Sequence, residues 1–139
     1  LDQEEGIYPY QLGILLYEFK YQFIRDGFYD AENLNQEMQE AFQEAASRDP
    51  DNFAFLLRYG ESFYDVKNPD WEKALEVWDR ALDLAQEEID RQVIYLHQAK
   101  VNHALGQNQK ASELAEKVTH DKLLFTRNQI LESIQNSIE

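Results

Sequence analysis

LLRYGESFYDVKNPDWEKALEVWDRALDLA, residues 56–85, holds two apolar patterns of helical period on either side of a short break. Before the break, Leu56, Tyr59, Gly60 and Phe63 recur at i, i+3, i+4 and i+7. After it, Trp71, Ala74, Leu75, Trp78, Ala81, Leu82 and Ala85 share one face, with Glu72, Lys73, Glu76, Asp79 and Arg80 on the other. Lys67-Asn68-Pro69-Asp70 supplies the break, because the residue before a proline is pushed out of the helical region. Asp70 is placed to cap the second helix. The pattern predicts helices over about 51–65 and 71–87, joined as an antiparallel hairpin.

Working upstream, Leu34, Met38, Ala41, Phe42 and Ala45 predict a helix over 34–48 that ends before Asp49-Pro50. A loop through Tyr29 to Asn33 separates it from an earlier helix, Tyr8 to Asp26, closed by Gly27. That first helix carries two stripes, Leu12, Leu16, Phe19 and Phe23 beside Ile14, Tyr17, Tyr21 and Ile24, a wider apolar face than one hairpin contact covers. Downstream, helices are predicted over Ile89–Leu105, ending at Gly106, over Asn108–Thr119, and over Leu123–Ile138. Seven helices on short connections define an all-α chain.

Composition agrees. Apolar residues make up 43% of the 139, too many for a disordered chain, and only five Gly and three Pro interrupt the helix formers. One domain, 1–139, is the expectation. The chain is acidic, with 27 Asp+Glu against 13 Lys+Arg and a net charge of −14, which repels phosphate backbones and anionic headgroups. Neither nucleic acid nor membrane insertion is expected, since no apolar run reaches the roughly 18–20 residues of a bilayer span. Without cysteine there are no disulfides or thiolate sites, which suits a cytoplasmic or a bacterial periplasmic protein equally. The start at Leu1 fits a processed or a trimmed chain and carries no weight in this reading.

The hairpins repeat. Ala74 and Ala111 lie 37 positions apart, each followed at matching offsets by apolar residues, Trp78 and Ala115, then Ala81 and Val118. The preceding helices carry small residues in mid-helix, Gly60 and Ala99, where a neighbouring helix must approach closely. The chain thereby resembles the tetratricopeptide repeats, whose unit is a helix-turn-helix of about 34 residues. Tyr59-Gly60 with Phe63 stands where that family has L-G-x-x-Y, and Trp71, Ala74, Trp78 and Ala81 occupy its second-helix positions. The turn Val66–Asp70 is longer than the family norm, and Gln86 stands at the usual terminal proline. Tyr95 to Val118 matches more loosely, and Leu12-Gly13 with Phe42, Ala45 and Pro50 matches least.

The resemblance implies antiparallel hairpins stacked as a right-handed superhelix. They would number about three, at 8–48, 51–87 and 89–119, with a capping helix at 123–138. It also implies a concave groove lined by the first helix of each hairpin, holding a peptide or helix of a partner. Mapped residue by residue, the groove positions are Tyr10, Ile14 and Tyr17, then Leu57, Glu61 and Tyr64, then Leu96, Lys100 and His103. Glu61 and neighbouring Asp65 favour a partner with apolar and basic residues. A carboxylate-gripping Lys/Asn/Arg cluster, found in some members, is not matched. The competing role for Tyr10, Tyr17 and Tyr64 is packing between helices.

No chemistry beyond binding is read from the residues. His97 and His103, six apart on one helix, point to different faces and do not share a metal. Glu4-Glu5, Glu87-Glu88 and Asp49/Asp51 read as solvated charge rather than a catalytic pair. Asp65, Asn68 and Asp70 lack the central Gly and closing Glu of a calcium loop. No phosphate-binding, nucleophile-elbow or zinc-protease motif occurs. The expectation is a non-catalytic adaptor or scaffold without cofactor or metal. The alternative is a self-associating module that forms a homodimer through its aromatic first helix.

Overall fold

Eight α-helices and one 3-10 turn account for most of residues 2–138, which are the residues that the computed structural model describes, with side chains described over 6–138. Among the described residues there is no strand. The helices are α1 (Asp2–Glu18), α2 (Lys20–Arg25), α3 (Ala31–Arg48), α4 (Phe53–Ser62), α5 (Trp71–Leu84), α6 (Glu88–Ala104), α7 (Asn108–Glu116) and α8 (Leu124–Ile138). They divide into two compact units, Leu1–Asp70 and Trp71–Glu139, and each is described by itself.

In the first unit α1 packs along α3, and α3 packs on α4. The side of α1 turned inward carries Gly6, Pro9, Gly13 and Leu16, all buried. The approach is close enough that a Cβ at Gly13 would lie 2.5 Å from Cε1 of Phe42, itself only 2% exposed. A Cβ at Gly6 would meet Phe55 Cε2 at 2.8 Å. Of its large apolar residues, Leu16 lies on this inner side, whereas Tyr8, Leu12, Leu15 and Tyr17 face outward. Helix α3 buries Leu34, Met38, Ala41, Phe42 and Ala45, the predicted stripe.

In the second unit α5 packs on α6, α6 on α7, and α8 on both α6 and α7. Ala74, Val77, Trp78 and Ala81 form the buried side of α5. A continuous core joins Leu96 and Ala99 of α6, Ala111 and Ala115 of α7, Val118, and Ile130 and Ile134 of α8. Burying an isoleucine side chain of this kind contributes about 1.5–3 kcal/mol. Gln92 secures the turn after α7: its Oε1 accepts from the backbone N–H of Thr119 and of His120, both at 2.9 Å.

Several boundaries differ from the sequence expectation. The predicted first helix, Tyr8 to Asp26, is two helices that start earlier, with the break at Phe19 (φ −106°, ψ 19°). The hydrogen-bond ladder crosses that break, Phe19 N–H donating to Leu15 O at 3.0 Å and Phe23 N–H to Phe19 O at 3.0 Å, so only one residue departs from helical dihedrals. Helix α3 starts at Ala31 rather than Leu34, because Asp30 Oδ1 accepts from Asn33 N–H at 2.8 Å and caps it three residues upstream. Helix α4 ends at Ser62, and its continuation tightens into i→i+3 bonds from Tyr64 to Glu61 and from Asp65 to Ser62, both 3.2 Å. Gly27 (φ 81°) and Gly106 (φ 80°) close their helices in the left-handed conformation, with Phe28 N–H reaching Phe23 O and Gln107 N–H reaching Asn102 O.

Candidate functional site

The mapped groove residues fall into three groups. Two are taken up by packing. Leu96 is 4% exposed inside the α6–α7–α8 core, so it is corrected from a groove position to a core position. The helical face of α6 that carries Ala99 also carries Leu96, and that face is the one covered by α7 and α8. Tyr10 stacks on Phe55 with ring centroids 4.7 Å apart and tilts against Phe42 at 6.0 Å, so the packing role described above is the one its ring performs. Ile14 and Leu57 form the second group, half-buried and exposing only part of each side chain.

The third group is open to a partner. In the first unit, Tyr17 and Glu61 line one notch with Arg58, Ser62 and Asp65, over Met38 and Phe42. The Arg58 guanidinium lies 5.2 Å from the centroid of the Tyr17 ring, and its Nη1 is 3.7 Å from Glu61 Oε2. The notch is narrow, about 20 Å³, and admits the tip of a side chain rather than a whole one. Partial burial raises the Glu61 carboxyl above its ordinary value, Arg58 working against that and Asp65 adding to it. Burial, then the Glu61 charge, pushes the neighbouring Tyr64 phenol up, so Tyr64 meets a partner as a neutral hydroxyl. A cation placed here would relieve the crowding of Glu61 and Asp65.

In the second unit, Lys100 and His103 of α6 face Thr126, Gln129, Ile130 and Ser133 of α8 across a cleft of about 390 Å³. His103 Nδ1 lies 2.9 Å from Asn108 Oδ1, which fixes the ring at the start of α7. The α6 residues are one turn apart, and the α8 residues recur at i, i+3, i+4 and i+7, so each helix presents a single row. His97 takes the opposite course: its ring stacks on Trp78 at 4.0 Å with an interplanar angle of 2°. Burial, reinforced by the charge of Lys100, lowers its pKa to about 3. The two histidines therefore serve different faces of α6, one in packing and one in the cleft. Among the described residues, no group of three His, Asp or Glu side chains is arranged to hold a metal ion. No helix among them is long and apolar enough to cross a membrane.

Arg58, Ser62, Thr126, Gln129 and Ser133 were not legible as site residues from the sequence. The signal for the α8 row is its spacing: Thr126, Gln129 and Ser133 form a polar stripe that flanks the buried Ile130 and Ile134.

No family model and no curated protein matches the sequence. Among solved structures, the chain is similar to the type III secretion chaperone SycD of Yersinia enterocolitica, determined in complex with a peptide of the translocator YopD. The TM-score is 0.60 at 16% identity, over 90% of this chain and 93% of that one. The fold is all-α and TPR-like. At this identity the likeness concerns the path of the backbone.

Proposed function

We propose that the protein is a non-catalytic interaction module, an adaptor that holds a peptide or helix of a partner protein at the groove positions its exposed site residues mark. The observation that carries this reading is the pairing of those positions: Tyr17 with Glu61 on one notch, and Lys100 with His103 on one cleft. Residues chosen by repeat register alone thus share surface concavities within each unit. The reading is supported further by the neighbour's fold, since SycD was captured with a peptide of another protein and is described as a chaperone. Tyr17 and Tyr64 supply amphipathic aromatic surface, and Glu61 and Asp65 favour a basic residue beside apolar ones. An array of short capped peptides varied in apolar, basic and acidic content tests this. Retention should be greatest for sequences pairing apolar residues with Lys or Arg, and Tyr17→Ala/Tyr64→Ala should weaken it about tenfold. Full retention by a folded double variant would remove the first-unit notch from the site.

A second reading, self-association, has its own observation. Tyr8, Leu12 and Leu15 of α1 and Phe19 at the break after it recur at 4-3-4 spacing and are 70%, 42%, 45% and 44% exposed. That is the spacing of a helix seam. Light scattering across a concentration series decides it: a rise to dimer mass that Leu12→Ser/Leu15→Ser abolishes would support the seam, and a strict monomer would sink it.

A further inference from the structure

We propose that the cleft between α6 and α8 takes the carboxylate of an aspartate or glutamate side chain on the bound peptide. This inference rests on the peptide-binding reading above and adds to it an acidic determinant, distinct from the basic one expected at the first-unit notch.

The lining carries the argument. The chain holds 27 Asp+Glu against 13 Lys+Arg, yet the six residues around this cleft include no carboxylate. They offer an ammonium on Lys100, hydroxyls on Thr126 and Ser133, and an amide on Gln129, all groups able to donate hydrogen bonds, while the His103 ring gives its Nδ1–H to Asn108 Oδ1. An ammonium or a hydroxyl donating to a carboxylate makes a shorter and stronger bond than one between neutral groups. A neutral or cationic guest would use fewer of these donors. Ile130, 7% exposed and continuous with the core, forms an apolar floor that suits the methylenes next to a carboxylate. At about 390 Å³ the cleft has room for one such side chain and its flanking backbone. Helix α8 is anchored by Ile130 and Ile134, so the row of Thr126, Gln129 and Ser133 is in place opposite Lys100 before the guest arrives. The net charge of −14 opposes long-range steering of an anion. Recognition here is accordingly by contact.

The test uses the whole chain, labelled with nitrogen-15, and three capped peptides followed by amide chemical shifts. Ac-Leu-Glu-Leu-NH2 should shift the resonances of Lys100, His103, Thr126 and Ser133, at least about tenfold more tightly than Ac-Leu-Gln-Leu-NH2. The exposed Lys100→Gln variant, with an unchanged circular dichroism spectrum, should lose that preference, and Ser133→Ala should reduce it. Equal binding of the Gln peptide would overturn the carboxylate assignment while leaving the peptide-binding reading intact. Binding only by Ac-Leu-Leu-OH would overturn the side-chain assignment in favour of a chain terminus. Shifts confined to Tyr17, Glu61 and Tyr64 would overturn the cleft alone, and no shift anywhere with any peptide would overturn both readings.

Discussion

Helices α1 and α8 both lie against a neighbouring helix pair, but they bury opposite kinds of side chain. Helix α8 inserts Ile130 and Ile134 into its unit and leaves Thr126, Gln129 and Ser133 at the cleft. Helix α1 turns Gly6 and Gly13 inward and leaves Tyr8, Leu12, Leu15 and Tyr17 outside. The two glycines let the Phe42 and Phe55 rings close on the helix, so beyond Leu16 and Tyr10 most of its large apolar residues, Tyr8, Leu12, Leu15 and Tyr17 among them, stay outside its own packing. Those residues remain as surface. The lesson is that the apolar content of a helix does not say which face is core: in α8 Ile130 and Ile134 are the core, and in α1 Tyr8, Leu12, Leu15 and Tyr17 are surplus to an inner face of Gly6, Gly13 and Leu16.

Removing atoms should therefore damage α8 and adding them should damage α1. Ile134→Ala, at 1% exposure, is expected to lower stability by about 2–5 kcal/mol in denaturant titration, since it opens a cavity in the α6–α7–α8 core. Gly13→Ala should cost about 1–3 kcal/mol although it adds only a methyl group, because the Phe42 ring has no room to retreat. Both tryptophans, Trp71 and Trp78, belong to the second unit, so fluorescence reads that unit while circular dichroism reads both. If Gly13→Ala shifts only the circular dichroism transition, the units unfold separately; coincident shifts would show one cooperative transition.

Acid should sharpen the contrast from the other side. His97 has a folded pKa of about 3, below its unfolded value of about 6.5, so its contribution is complete above that unfolded value and lost as pH falls from there toward 3. The expected loss is about 1–2 kcal/mol by mildly acidic pH, after allowance for partial solvent access. It is read as the difference between the parent and His97→Gln followed by tryptophan fluorescence. An identical acid transition in both would show that the Trp78–His97 stack tolerates a charge.

The smallest effect on stability should come from the surface of α1. Leu12→Ser/Leu15→Ser is expected to change it by less than about 0.5 kcal/mol while removing any concentration-dependent association. A large destabilisation would mean that this row is core after all. Glu61→Gln belongs to the same class: its raised folded pKa means that stability falls as pH rises through the carboxylate range, so the amide should be neutral to slightly stabilising at pH 7.

Periodicity, turn residues and composition were enough to read the helices, their order and the all-α class. These are local properties: apolar residues recur every three to four positions because of helix geometry, and glycine or proline ends the pattern for steric reasons. Positions such as Met38, Phe42 and Trp78 were legible as core on the same ground. Tertiary structure decided which face of each helix is covered. The α1 pattern was ambiguous, being apolar on several sides, and the packing chose the face of Gly6, Pro9, Gly13 and Leu16. The packing also put Leu96 in the core and drew Tyr10 onto Phe55. It joined Lys100 and His103 to a row on α8 roughly thirty residues away in sequence. A one-dimensional pattern specifies neighbours along a helix, whereas a cleft is made by two helices meeting, and that meeting is set by the shape and volume of the side chains between them.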